Sequence, residues 1–311
     1  LAGLLSDEGS NVRENAAWAI GWACKGSPAI QQTFLDLGSE AGMGKLAGLL
    51  SDEDSRVRGH AAYAIGRACQ GSPAIQQGFL DLGSEAGIGK LAGLLSDEDS
   101  GVRGHAAYAI GQACKGSPAI QQAFLDLGSE AGMGKLAGLL SDEDSFVRGG
   151  AANAIGLTCQ GSPAIQQAFL DLGSEAGIGK LAGLLSDADS GVRGGAANTI
   201  GWACKGSPAI QQAFLDLGSE AGMGKLAGLL SDADSRVRGN AALAIGLACQ
   251  GSPAIQQAFL DLGSEAGMGK LAGLLSDEDS FVRGRAALAI GHACQGSPAI
   301  QQGFLDLGSE A

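Results

Sequence analysis

Residues 94–111 read LLSDEDSGVRGHAAYAIG, and they carry the strongest structural signal in the chain. Its first half is a turn rich in Ser and Asp, which are residues that cap the N-termini of helices. Its second half places small apolar residues three and four positions apart, as at Val102, Ala106, Ala109 and Ile110, which is the spacing of one buried helix face. We therefore predict a long helix from about Val102 to Cys114.

The stretch belongs to a unit of 45 residues that recurs along the whole chain. The copies begin at Leu1, Leu46, Leu91, Leu136, Leu181, Leu226 and Leu271. Of the 45 positions in the unit, 33 are identical in every copy that contains them. A repeat period of about 20 to 50 residues indicates a stack of supersecondary units that share one continuous core. We therefore expect residues 1–311 to form a single domain.

Each copy carries the signals of three helices. Ser72 and Pro73 supply an N-cap and a first helical residue for a short helix. That helix is expected to end before Gly83, since glycine readily adopts the left-handed conformation that follows many helices. We expect a second helix over residues 86–95 and the third over residues 102–114. The predicted fold class is all-α.

Constant positions of the third helix indicate how the copies pack. Gly104 and Gly111 lie inside the helix, where glycine costs about 1 kcal/mol relative to alanine. They indicate either a close approach of another element or an uncrowded surface beside them. Arg103 falls within the apolar arc of the helix and needs a carboxylate partner. We expect Asp97 or its equivalent in the next copy, which would form a structural Asp–Arg ladder.

Each copy contains one cysteine, so the chain has seven. Adjacent stacked helices lie roughly 8–10 Å apart, whereas a disulfide needs Cα atoms within about 7 Å. Equivalent cysteines should therefore stay unpaired and behave as small buried hydrophobes. A series of reduced cysteines is typical of an intracellular protein.

Four positions of the third helix carry nearly all the sequence diversity, and together they are called the variable stripe. They are the positions of Asn11, Asn15, Trp18 and Trp22 and their equivalents in the other six copies. Their spacing of i, i+4, i+7 and i+11 confines them to a band roughly 60° wide on a helix. The stripe holds every Trp, Tyr and His of the chain and none of its acidic residues.

The composition of the variable stripe predicts a partner-binding surface, because aromatic residues and Arg dominate binding interfaces. Neutral drift would change all exposed positions, yet the acidic turns barely vary. The candidate contact residues are Asn11, Asn15, Trp18, Trp22, Arg56, His60, Tyr63, Arg67, His105, Tyr108, Gln112, Phe146, Asn153, Leu157, Asn198, Trp202, Arg236, Asn240, Leu243, Leu247, Phe281, Arg285, Leu288 and His292. They suggest an aromatic, basic patch and an apolar, basic patch, separated by a shallow polar saddle.

Bulk properties exclude several other functions. The net charge is −13, which disfavours nucleic acid and favours a protein or peptide partner. No run of about 20 apolar residues predicts a membrane span. Every Ser and nearly every acid repeats from copy to copy, so we expect no enzyme and no cofactor. We also expect no metal site, since His60 and His105 lie one repeat apart and should be too distant to bind one ion.

Residues 94–111 resemble the HEAT-repeat pattern of an Asp-x-Asp turn, Val-Arg and Ala-Ala-x-Ala-Ile-Gly. With the additional short helix, each copy is similar to the three-helix unit of armadillo repeats, and the resemblance covers the whole chain. It implies a right-handed α-solenoid of about seven armadillo-like three-helix repeats. In armadillo proteins the third helix lines a concave groove that binds extended peptides, so the resemblance implies that the variable stripe faces this groove.

One departure from the armadillo pattern concerns the ligand main chain. Many armadillo repeats hold it with an Asn at the position of Trp22, and none of the seven copies has Asn there. The Trp that accompanies this Asn one turn earlier is kept only at Trp18. We therefore expect recognition by side chains, either of a peptide or of a folded surface.

Two questions stay open at this level. The chain starts with the second and third helices of a unit and stops after a first helix, which predicts weak head-to-tail association or capping segments outside the chain. A structural scaffold that assembles through such ends is the alternative to a binding protein. Near-identical copies fit either a natural array homogenised by recombination or a consensus-engineered array.

Overall fold

The computed structural model describes residues 1–309, in which helices are the only regular secondary structure. Up to residue 159 they are α1 (Ser10–Cys24), α2 (Pro28–Asp36), α3 (Gly38–Ala41), α4 (Met43–Gly48), α5 (Ser55–Cys69), α6 (Pro73–Leu80), α7 (Ile88–Gly93), α8 (Ser100–Cys114), α9 (Pro118–Leu125), α10 (Met133–Gly138) and α11 (Ser145–Cys159).

The remaining copies repeat the same elements. Their helices are α12 (Pro163–Leu170), α13 (Ile178–Gly183), α14 (Ser190–Cys204), α15 (Pro208–Leu215), α16 (Gly218–Ala221), α17 (Met223–Gly228), α18 (Ser235–Cys249), α19 (Pro253–Leu260), α20 (Gly263–Ala266), α21 (Met268–Gly273), α22 (Ser280–Cys294) and α23 (Pro298–Ser309). Short 3₁₀ helices cover Ala2–Ser6, Leu49–Ser51, Leu94–Ser96, Leu139–Ser141, Leu184–Ser186, Leu229–Ser231 and Leu274–Ser276. The fold is an all-α solenoid, as predicted.

The third helix of each copy is its longest, at 15 residues. In α8 the carboxylate of Asp99 caps the helix by accepting a hydrogen bond from the Val102 amide at 3.2 Å. The helix therefore starts at Ser100, two residues before the predicted start. Gly116, which follows the helix, has a φ of +72° that favours glycine.

The shorter helices follow the capping signals in part. The Ser72 hydroxyl accepts a hydrogen bond from the Ile75 amide at 3.4 Å, which confirms the predicted N-cap of α6. The second helix is shorter than expected, because α7 is a helix only over Ile88–Gly93 and a 3₁₀ turn replaces its last residues. Gly87 immediately before it has φ −108° and ψ −107°, outside the helical region.

Third helices of neighbouring copies pack against each other closely, α5 against α8 and α18 against α22 among them. A Cβ at Gly66 would lie 2.9 Å from the Cα of Ala109, and one at Gly111 would lie 2.9 Å from the Cα of Ala154. Real Cβ atoms do not approach backbone this closely, so glycine permits the spacing of the helices. This confirms that the constant glycines allow close packing.

The predicted Asp–Arg ladder is present, and its partner is the Asp of the next copy. Arg103 donates from Nε and Nη2 to the two carboxylate oxygens of Asp142 at 2.8 and 2.9 Å. Its Nη1 donates to the Asp97 carbonyl at 2.9 Å. The hydrogen bond from Arg103 lowers the pKa of Asp142. The same side-on pairs form at Arg13–Asp52, Arg58–Asp97, Arg193–Asp232 and Arg238–Asp277.

All seven cysteines are unpaired thiols, as expected from the helix spacing. Six of them are buried, and Cys294 is partly buried. Burial raises the pKa of the Cys69 thiol to about 12. The thiol form therefore persists at neutral pH, and these residues act as small apolar side chains of the core.

Internal contacts divide the chain into two compact units, Leu1–Ala168 and Phe169–Ala311. Of the third helices, the first unit contains α1, α5, α8 and α11, and the second contains α14, α18 and α22. Within residues 1–309, none of the helices combines the length and the hydrophobicity of a membrane-spanning segment. The single domain expected from the repeat stays a prediction.

The variable stripe as a candidate binding surface

The structure places the 24 candidate contact residues of the stripe at three levels of exposure. Ten are exposed to solvent, namely Asn11, Asn15, Trp18, Trp22, Arg56, Phe146, Asn153, Arg236, Phe281 and Leu288. Ten are partly buried, namely His60, Tyr63, His105, Tyr108, Leu157, Asn198, Trp202, Asn240, Arg285 and His292. The other four are buried, namely Arg67, Gln112, Leu243 and Leu247.

Four of the candidate contact residues are buried and do not lie on the exposed surface. Three of them, Arg67, Gln112 and Leu247, occupy the last position of the stripe. A wheel drawn for one helix omits the neighbouring helix, and the third helices approach each other closely. The side chain at the last stripe position packs against the preceding third helix. In Leu157, for example, a methyl carbon lies 3.2 Å from a Cβ built on Gly111. These residues therefore form the floor of the surface.

Aromatic side chains of the first unit form one connected group, called the aromatic cluster, which consists of Trp18, Trp22, Tyr63, His105, Tyr108 and Phe146. The rings of Trp18 and Trp22 have centroids 5.8 Å apart, and those of Tyr63 and Tyr108 are stacked at 5.4 Å. His105 contacts Tyr63 at 5.3 Å and the edge of Phe146 at 5.3 Å. Such geometries stabilise ring pairs beyond their buried area.

Arg67 joins the two halves of the aromatic cluster. Its guanidinium carbon lies 4.0 Å from the centroid of the Trp22 ring and 5.6 Å from that of Tyr63. Tyr108 lies close enough to share a hydrogen bond with Arg67, although burial dominates and raises the pKa of the Tyr108 phenol. Lys25 also lies over the Trp22 ring, at 5.6 Å. The cluster is thus lined by positive charge.

His105 of the aromatic cluster and its neighbour His60 have different surroundings. Burial, together with the neighbouring His60, lowers the pKa of His105 to about 4, so His105 is neutral at pH 7. The Nδ1 atom of His60 lies 3.0 Å from the Arg56 carbonyl and 3.2 Å from a Glu14 carboxylate oxygen. Both neighbours are acceptors, so this nitrogen carries a proton and donates.

His60 and His105 are closer together than the repeat spacing suggested, with ring centroids 6.0 Å apart. The expectation that these two histidines do not bind one metal ion stays a prediction. Their helices pack closely at Gly59, where a Cβ would lie 3.3 Å from the His105 Nδ1 atom. Among residues 1–309 no group of three or more His, Cys, Asp or Glu side chains could hold a metal ion.

The stripe of the second unit is more apolar. Lys205 lies over the Trp202 ring at 5.0 Å, but the equivalent of Arg67 on the next helix is Leu247, which is only 2 % exposed. Arg285 lies over the Phe281 ring at 5.0 Å. Leu288 lies on the same helix as Phe281 and Arg285, and it is exposed. The stripe of the second unit therefore presents aliphatic and aromatic side chains, and on its last helix one cation, Arg285, is stacked on a ring.

Sequence reasoning missed Lys25 and Lys205 as members of these surfaces. A signal was available, because both follow a stripe Trp by three residues, and residues three apart meet on a helix. Glu14 was also missed as the neighbour of His60, although it occurs in only one copy.

No protein-family model matches the chain, and no curated protein resembles it significantly. Several solved structures, however, are similar to this chain. One engineered protein shares 29% identity with a TM-score of 0.76, over 99% of this chain and 70% of that one. A second engineered protein shares 30% identity with a TM-score of 0.68, over 82% of this chain and 97% of that one. A designed armadillo repeat protein in complex with the peptide (KR)4 shares 23% identity with a TM-score of 0.66, over 80% of this chain and 98% of that one.

Proposed function

Because the chain is a tandem armadillo-type repeat protein, we propose that it binds a protein or peptide partner on the variable stripe. Side chains of the third helices make the contacts, and the constant residues of each copy hold those helices in place. The role is binding rather than catalysis, in a compartment that keeps the cysteines reduced.

The aromatic cluster is the observation that carries this proposal. Trp18, Trp22 and Phe146 each expose two fifths or more of their surface to solvent. Large exposed aromatic side chains on one face mark binding sites, and Trp, Tyr and Arg are the residues most enriched in binding hot spots. The rings support each other, so little side-chain entropy is lost when a partner covers them.

The partner is a polypeptide, because the charge of the surface does not suit nucleic acid. The chain carries a net charge of −13, and its acids lie outside the variable stripe. Nucleic acid requires many Lys and Arg contacts to phosphate, whereas the stripe has four Arg in seven copies. A polypeptide needs apolar anchors and a few polar contacts, which both units provide.

Each unit offers its own kind of contact. In the first unit we propose that aromatic and cationic side chains around Trp22 and Tyr63 contact the partner. In the second unit we propose that Phe281 and Leu288 supply apolar contacts beside Arg285. The resemblance to a designed armadillo protein bound to (KR)4 supports a peptide as the partner class, although this chain presents positive groups where a basic peptide would need negative ones.

Selection from a library of random peptides tests the proposal. The full chain is compared with a variant whose exposed aromatic residues are replaced by residues that other copies hold at the same positions: Trp18→Asn, Trp22→Leu and Phe146→Gly. The parent should enrich a family of peptides that the variant fails to retain, while both show equal helicity by circular dichroism. Equal enrichment by both chains would mean that peptides bind outside these aromatic residues, and it would favour a scaffold that acts through other surfaces.

A further inference from the structure

Arg67 differs from the paired arginines of the third helices because its charge has no counter-ion. Within residues 1–309 no carboxylate oxygen forms an ion pair with Arg67, which is only 8 % exposed. Its Nε and Nη2 atoms are buried and have no hydrogen-bond partner. Buried polar groups are nearly always paired, so two unpaired donors on one charged group call for an explanation.

The unpaired atoms are the two that bind a carboxylate elsewhere in this chain. Arg103 uses Nε and Nη2 to hold both oxygens of Asp142 side-on, and Arg58 holds Asp97 with the same two atoms. This pair of parallel donors matches the geometry of a carboxylate. In Arg67 the same edge of the guanidinium is left without an acceptor.

The aromatic neighbours of Arg67 stabilise the cation without giving Nε and Nη2 an acceptor. Trp22 and Tyr63 present ring faces to the guanidinium, at 4.0 and 5.6 Å. Stacking of this kind leaves the donors at the edge of the plane unused. Lys25 adds a second positive charge over the Trp22 ring. The site is therefore cationic, aromatic and lacking an anion.

We propose that Arg67 is the receptor for a carboxylate of the bound polypeptide, held side-on by Nε and Nη2. This inference rests on the proposed function and names the chemistry of one partner residue. The carboxylate is an acidic side chain or a chain terminus. Trp22 stacks on the guanidinium and is itself 45 % exposed, so a turn of its indole toward solvent would give a ligand access to Arg67.

The chain contains its own matched control for this site. Trp202 and Lys205 repeat the pair of Trp22 and Lys25 four copies away, and Leu247 takes the place of Arg67. Leu247 is buried, so the same frame packs with an apolar side chain. Arg67→Leu therefore removes the receptor with a residue that the repeat already accommodates.

A double-mutant cycle on a selected peptide tests the site. Random-peptide selection is run with the full chain and with R67L, whose helicity is first shown to be unchanged. The parent should select peptides with a fixed Asp, Glu or free terminus, and R67L should weaken their binding by about 30-fold or more. Changing the peptide acid to its amide should weaken binding to the parent and have no further effect with R67L. Blocking the terminus as an amide distinguishes a terminal carboxylate from a side chain.

The possible failures are distinguishable. Peptides that bind the parent on the variable stripe but carry no acid, or that bind R67L equally well, would overturn the carboxylate receptor and leave the proposed function standing. A parent chain that enriches no peptide at all would remove the proposed function, and with it this inference.

Discussion

Arg67 and Leu247 occupy the same position of the repeat, and both are buried although one is charged. Each lies on the helix that follows a Trp–Lys pair, Trp22 with Lys25 or Trp202 with Lys205. The constant scaffold thus accepts opposite chemistries at this position without a change of fold. Diversity at the last stripe position changes what lies beneath the exposed rings.

Arg67→Leu should make the free chain more stable, raising the free energy of unfolding by about 1–3 kcal/mol. Buried donors without partners cost about this much, and apolar replacement of a buried charge is often stabilising. The midpoint of urea unfolding measures the change. Arg103→Leu is the contrasting variant, since it leaves Asp142 unpaired and should destabilise the chain by about 3–5 kcal/mol. A loss of stability in R67L comparable to that in R103L would mean that Arg67 has a counter-ion.

His105 should titrate near pH 4, far below the ordinary value near 6.5. The unfolded chain takes up this proton first, so His105 contributes a loss of stability as the pH falls from about 6.5 to about 4. The imidazole resonances of the three histidines, followed by NMR against pH, measure this directly. His105→Asn assigns the signal, because Asn240 holds the same position in another copy. Titration of His105 at an ordinary pH would show that its ring is solvated.

At the scale of the helices, the spacing between copies depends on one glycine per third helix. Gly66 meets the Cα of Ala109, whereas Gly291 at the same position of the last copy has no atom within 4 Å of its potential Cβ. A β-carbon at these two sites therefore meets very different surroundings in an otherwise identical sequence context. Comparing the same substitution at Gly66 and Gly291 therefore separates the effect of packing on stability from the effect of helix propensity.

Gly66→Ala should lower the free energy of unfolding by about 1–3 kcal/mol, since overpacking against backbone outweighs the gain in helix propensity. Gly291→Ala should instead raise it, by up to about 1 kcal/mol, because only the propensity changes. Thermal or urea unfolding of both variants gives the comparison. Equal effects of the two substitutions would contradict the close approach of α5 and α8.

Sequence alone predicted the elements well and the neighbours of the stripe poorly. The Ser72 and Asp99 caps and the glycine at each helix end are local signals, so the helices could be placed within a few residues. The partner of Arg103 had two candidates, and only the register of adjacent copies selected Asp142. The burial of Arg67 depends on Trp22 of another copy, which no periodicity within one helix contains.

At the scale of the whole chain, acidic and basic residues occupy different positions of the repeat. Apart from Glu14 on α1, the acids lie in the turns and short helices, and the variable stripe has none. Several acids of the turns are held by an arginine of the preceding copy, as Asp142 is by Arg103. An acidic group of a partner would therefore be repelled by most of the chain and attracted by the cationic, aromatic site of the first unit. This distribution favours one orientation of an acidic peptide over others.

Site-specific photo-crosslinking of a selected peptide tests most directly whether the variable stripe is where the partner binds. The photoreactive phenylalanine analogue benzoylphenylalanine replaces Trp18 in one chain and Ile30 in another, since Ile30 is 43 % exposed but lies on α2, outside the stripe. We predict a cross-link from position 18 and none from position 30 at a concentration that saturates binding. A cross-link from position 30 and none from position 18 would contradict binding on the variable stripe.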